Sequence, residues 1–187
     1  MEIKQILVTS EYENTLLRKR VKARFSKKYR GWSNDFDKKF DNHSEWFSVY
    51  DSSNEKRLLA CCRVTYKKQN KYLPIELSQY NRFMPNEAKV CEINNFLRRS
   101  DEEAIKMLSL VMSHLIKIGI KYVYCVVDEV DKKALSFNTN NFGFKPVDKS
   151  IKFESVVHKL TNKMVKWDIL VQDEETRLML FNPTSVS

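Results

Sequence analysis

Residues 88–127 constrain the fold more than any other stretch of the chain. AKVCEINNFL (88–97) is an apolar, strand-like run. Ser100 follows as a helix N-cap, with Glu103 three residues on as its capping-box partner. Asp101 and Glu102 suit the positive end of that helix. Ile105, Leu108, Met112, Leu115 and Ile116 recur at helical spacing, and Gly119 is a natural stop. KYVYCVV (121–127) then reads as a second buried strand. A β-α-β unit of this kind predicts a mixed sheet carrying helices on its faces, an α/β fold.

The flanking segments extend that sheet. EIKQILVT (2–9) reads as a short strand, and 11–28 as a helix with Leu16, Leu17, Val21 and Phe25 on one side. Residues 31–44 form a loop alternating aromatic and acidic residues. Strands at 45–50 and 57–67 follow, joined by the turn DSSNE. A polar segment runs on to Glu87, punctuated by Pro74 and Pro85. After the β-α-β unit come a short helix at 129–140, the turn NTNNFGF, and late strands at 152–160 and 165–171. No repeat, low-complexity run or boundary divides the chain. The reading is one domain across 1–187, with FNPTSVS, from residue 181, as a frayed tail.

Composition removes several function classes. The 187 residues include only three glycines, roughly a quarter of average usage. Neither G-x-G-x-x-G nor a Walker loop is present, which excludes a Rossmann or P-loop nucleotide site. Cys61, Cys62, Cys91 and Cys125 sit in apolar runs without C-x-x-C spacing, and the three histidines are scattered. They read as buried free thiols, with no metal site, in a reducing compartment. No apolar run approaches the length of a membrane span, and the first residues lack the basic-then-apolar pattern of a secretory leader. The expectation is a cytoplasmic protein.

The net charge of +9 suits an anionic partner. Its densest source is the first helix, with Arg18, Lys19, Arg20, Lys22, Arg24, Lys27 and Lys28. These cations form either a solvated face or an anion-docking surface. Nucleic acid is the disfavoured anion, since no helix-turn-helix pair or RNP motif accompanies them.

This element order resembles that of the GNAT acyltransferases. Three features carry the likeness: the strand-to-helix join CEINNFLRRSDEEA (91–104), the helix-to-strand step IGIKYVYCVV, and the turn NNFGFKP (140–146) late in the chain. The N-terminal half, LRKRVKARFSKKYRGW followed by DFDKKFD, resembles the start of acyl-homoserine-lactone synthases and N-acyl amino acid synthases. Trp32, Asp35, Asp37 and Asp41 correspond to that branch's tryptophan and staggered acids, Arg63 to an arginine on a central strand, and Glu92 to the glutamate opening an E-x-x-R pattern. Asn95 stands where that pattern has arginine, Glu102 where the pyrophosphate loop has glycine, and no tyrosine precedes the late turn.

The resemblance implies direct attack of a small amine, such as an amino acid derivative, on a thioester. The donor would be an acyl-CoA or an acyl chain on acyl carrier protein, with no tightly bound cofactor. Glu92 is the candidate base that takes the amine proton; its other reading is a structural ion pair with Arg63. The backbone around Phe96 and Leu97 would face the thioester oxygen. Arg98, Arg99 and Ser100, at the helix entrance, would hold phosphate or else are exposed surface charge. Trp32, Asp35, Asp37, Asp41 and Arg63 would hold the acceptor, the acids binding its cationic amine; the alternative is a charged loop pinned by Trp32 and Phe36. An acidic carrier protein would dock on the basic helix, residues 16–30. The departures leave a second reading open, a scaffold that has lost catalysis and binds a ligand or partner.

Overall fold

The computed structural model describes residues 7–8, 11–31, 38–51, 53–68, 70–78 and 89–181. Trp32, Asp35 and Asp37, expected at the acceptor site, and the last six residues lie outside that set. In chain order the elements are β1 (Leu7–Val8), α1 (Glu11–Lys28), β2 (Tyr29–Arg30), β3 (Ser44–Asp51), β4 (Asn54–Tyr66), β5 (Val90–Arg98), α2 (Asp101–Lys117), β6 (Tyr122–Asp128), α3 (Lys132–Phe142), β7 (Lys145–His158), β8 (Met164–Asp173) and α4 (Glu174–Phe181). Short 3-10 turns at Asp41–His43 and Pro74–Ser78 complete the order.

The strands form one mixed sheet in the order β1-β3-β4-β5-β6-β8-β7-β2. Only β5 and β6 run parallel, as the crossover through α2 requires. The remaining neighbours are antiparallel.

Helix α2 starts and stops by the chemistry its sequence carries. The Ser100 hydroxyl accepts from the Glu103 amide. At the other end Gly119 takes φ 70°, and the amides of Gly119 and Ile120 return to the carbonyls of Ile116 and Leu115 at 3.0 Å each, a Schellman closure. Its buried face is rotated from the expected stripe. Ala104, Met107, Leu108, Val111, Met112 and Leu115 are buried, whereas Ile105 and Ile116 lie at the margins. Each large side chain on this face contributes about 1.5–3 kcal/mol through burial. They pack on Cys62, Val64, Cys91, Ile93, Val123 and Cys125 of the central strands, where all four cysteines lie buried as free thiols.

Helix α1 covers the opposite face, setting Leu17 and Val21 on Trp46, Tyr50, Leu58 and Cys61. Arg18 departs from the expected basic surface: it is buried, and its guanidinium pairs with Asp41 and reaches Thr15. The exposed cations of this helix are Lys19, Lys22, Arg24 and Lys27.

Helix α4 has no counterpart in the sequence reading, which expected a frayed tail from residue 181. Asp173 caps it by accepting from the Thr176 amide at 2.8 Å. Arg177 is fully buried and donates to the Ile120 carbonyl and to Gln172. Phe181 stacks on Phe142 at 5.8 Å, so the chain stays packed through that residue. No helix among the described residues is long and apolar enough to cross a membrane.

Candidate active site

The parallel pair at the centre of the sheet is short. β5 and β6 pair from Val90↔Tyr122 to Ile93↔Cys125 and no further. Beyond Ile93, β5 follows β4 until Arg98 lies opposite Ala60. Beyond Cys125, β6 follows β8 until Asp128 lies opposite Trp167. The sheet therefore opens as a V between Asn94–Arg98 and Val126–Asp128.

A β-bulge drives the opening. Cys61 pairs with Leu97 and Arg63 with Asn94, so two steps along β4 match three along β5. Asn95 absorbs the extra residue at φ 52°, in the left-handed region. A bulge bends its strand and sharpens its twist, which turns the end of β5 away from β6.

The opening leads into a cavity of about 690 Å³. Its inner wall is apolar and reaches α2 and the late turn, through Leu108, Met112, Cys125, Phe137 and Phe144. Polar groups line it from two sides.

On the β5 side stands Glu92, 2 % exposed. Its carboxylate accepts the Ile75 amide at 2.8 Å, from the 3-10 turn that begins at Pro74. Burial pushes its pKa up to about 8, against the opposing pull of the Ile75 amide and the Arg63 charge; buried Glu76 nearby adds to the rise. Arg63, wholly buried on β4, donates from Nε to the Asn94 side chain at 2.8 Å, and its Nη1 lies 3.9 Å from Asp41. It also lies over the rings of Phe40 and Trp46. Two of the expected acceptor-site residues, Asp41 and Arg63, are thus brought together. Asp41 is engaged by Arg18 and Arg63 and does not line the cavity.

Opposite, Tyr29 donates to the Asp128 carboxylate at 2.8 Å, and Lys28 Nζ stands 2.9 Å from the same carboxylate and 3.3 Å from Asp131. Burial alone would lower the Lys28 pKa, but its bonds to Tyr29 and Asp128 raise it, so the ammonium stays charged. Phe25, His158 and Trp167 complete this side, the last two against the Tyr29 ring. The sequence reading places Lys28 in the basic docking helix and assigns no role to Tyr29, Asp128, Asp131, His158 or Trp167 at the cavity. The signal present is the KKY run closing α1 and an Asp closing each of β6 and the turn after it.

The expected donor residues divide. Phe96, Leu97 and Arg98 line the cavity. The Leu97 amide is directed to the buried Cys61 thiol, whose pKa burial pushes up to about 12. Arg98 lies over the Phe137 ring at 4.0 Å and pairs with Asp101 at 3.2 Å. Arg99 is exposed, and Ser100 is committed to capping α2; neither lines the cavity.

No protein-family model matches the chain, and no curated protein matches it in sequence. Solved structures do match in fold. FeeM, an N-acyl amino acid synthase from uncultured soil microbes, superposes with a TM-score of 0.68 at 12% identity, over 100% of this chain and 99% of its own. Arabidopsis thaliana NAA60 in complex with acetyl-CoA gives 0.66 at 12% identity, over 93% of this chain and 99% of its own. A probable acetyltransferase from Staphylococcus epidermidis gives 0.60 at 12% identity, over 92% and 98%. With the parted parallel pair at its centre, the chain has the GNAT acyltransferase fold.

Proposed function

We propose that the protein is an N-acyltransferase that moves a medium- or long-chain acyl group from a pantetheine thioester to a small amine, such as an amino acid derivative. One observation carries the reading: the split between β5 and β6 opens into a cavity of about 690 Å³ with a deep apolar wall and a buried carboxyl, Glu92, on its side. An acetyl group would occupy a small part of that space, whereas an extended alkyl chain running towards Leu108 and Met112 would fill it. The fold shared with an N-acyl amino acid synthase supports the same acceptor class.

In the proposed reaction Glu92 takes the proton of the acceptor ammonium, directly or through water. The free amine attacks the thioester carbonyl; the carbon–sulfur bond breaks and the thiolate leaves with the pantetheine arm. A carboxyl that titrates near pH 8 is matched to a base working near neutrality. Arg98, beside the first turn of α2, would meet donor phosphate. The donor would be carried by coenzyme A, as in the acetyl-CoA complex of similar fold, or by acyl carrier protein, which the exposed cations of α1 would suit.

The experiment is an incubation of the protein with dodecanoyl-CoA or dodecanoyl carrier protein and a pool of amino acids and amines, read by thiol release and mass spectrometry. A fatty acyl amide with stoichiometric thiol release is the expected result. No amide and no thiol with any donor would sink the reading, and tight donor binding without turnover would leave the binding-scaffold alternative standing instead.

A further inference from the structure

Asn95 carries a feature that the fold alone does not require. A left-handed residue inside a strand is met at lowest cost by glycine. Asparagine tolerates that conformation, yet here it also buries a carboxamide. Asn95 is 7 % exposed, and its Nδ2 is buried without a hydrogen-bond partner. An unpaired buried donor is destabilising by an amount comparable to a lost hydrogen bond. The residue lines the cavity where β5 leaves β6, between Glu92 and the apolar wall. A position that bears both backbone strain and an unsatisfied amide, in the wall of a binding cavity, is built for a ligand acceptor atom.

We propose that Asn95 binds the thioester carbonyl of the acyl donor through its side-chain amide. This rests on the reading of the cavity as an acyl-thioester site. The carbonyl oxygen is the donor's acceptor atom nearest the reacting carbon, and it gains charge as the amine attacks, so a hydrogen bond there strengthens towards the transition state. Of the two main-chain groups expected there, the amide of Leu97 is turned to Cys61.

The test compares two ligands by calorimetry: dodecanoyl-pantetheine and its S-dodecyl thioether, which differ only in that carbonyl. Asn95→Gly keeps the left-handed backbone and removes the amide, so its melting temperature is expected to equal or exceed that of the unaltered protein. The unaltered protein should prefer the thioester, and Asn95→Gly should lose about tenfold of that preference with its thioether affinity unchanged. Retention of the preference in the variant overturns the proposal and assigns the carbonyl to main-chain groups. Equal weakening of both ligands also overturns it, placing the amide against another part of the donor. If neither ligand binds the unaltered protein, the acyl-thioester reading falls and the proposal falls with it.

Discussion

The Ile75 amide donates to the Glu92 carboxylate at 2.8 Å, so a 3-10 turn from a distant part of the chain holds the one carboxyl in the β5 wall of the cavity. That bond and one from the Asn94 side chain orient the carboxyl without offsetting the cost of its burial, and the pKa stays raised to about 8.

Two outcomes follow from Glu92. As the base, it should give kcat/KM an ascending limb near pH 8, and Glu92→Gln should abolish that limb and lower the rate by about 10²–10⁴-fold. Stability should also respond. The folded chain keeps a proton that the unfolded chain releases above the ordinary glutamate value of about 4.3. The stabilisation from this group is therefore full below that pH and is lost as pH rises to about 8. Between pH 5 and 9 the melting temperature of the unaltered protein should fall more steeply than that of Glu92→Gln. At pH 9 the variant should be the more stable by a few kcal/mol at most, since a tenfold change in proton affinity corresponds to about 1.4 kcal/mol. Parallel curves would remove Glu92 as the titrating group.

Gly143 ties the late turn to α4. It sits at φ 64°, and an added Cβ would lie 2.7 Å from Thr176 Cγ2 and 3.0 Å from Leu180 Cδ1. Gly143→Ala should cost about 1–3 kcal/mol from the backbone conformation and the contact together, read as a lower denaturation midpoint at unchanged slope. An unchanged midpoint would mean that α4 is not packed against this turn.

What the sequence made legible was local. The strand–helix–strand unit from Val90 to Asp128 shows because its signals, the Ser100 cap, the apolar face of α2 and the Gly119 stop, lie within a few residues of what they control. Glu92 and Arg63 stand out from their apolar neighbours on the two strands that the structure pairs. What stayed hidden depends on distant partners. The bulge at Asn95 is a mismatch of count between β4 and β5, invisible in either strand alone. Arg18 looks like one more cation of α1 until Asp41, on another segment, takes it inside. Helix α4 is short, and a buried arginine bonded to the Ile120 carbonyl anchors it where an apolar stripe would ordinarily be read. Tyr29 and Asp128 meet across 99 residues of chain.

Leu108 lines the inner end of the cavity from α2. Leu108→Phe extends a side chain into the space assigned to the acyl tail. The activity ratio of dodecanoyl to butanoyl donor should fall at least tenfold while the butanoyl rate stays within about threefold, with an overpacking cost of about 1–3 kcal/mol in stability. An equal loss with both donors would point to damage of the site and not to a chain-length limit.

Reversing exposed cations of α1 separates the two donor classes experimentally. Lys19 and Lys22 stand in solvent, so replacing both with glutamate should change stability by about 0.5 kcal/mol or less per site. Against an acidic carrier protein the reversal replaces attraction by repulsion across a docking surface. With dodecanoyl carrier protein, kcat/KM should fall at least tenfold, and its dependence on salt should flatten, because the long-range attraction that salt screens is gone. With dodecanoyl-pantetheine, a neutral donor of the same chain length, kcat/KM should stay within about twofold. Arg24 and Lys27 are left in place in this variant, since they line the cavity and their loss would confound docking with binding. An unchanged rate with carrier protein would make α1 a solvated face and move the assignment towards coenzyme A. A matched loss with both donors would show that the substitutions act through the cavity and not through docking.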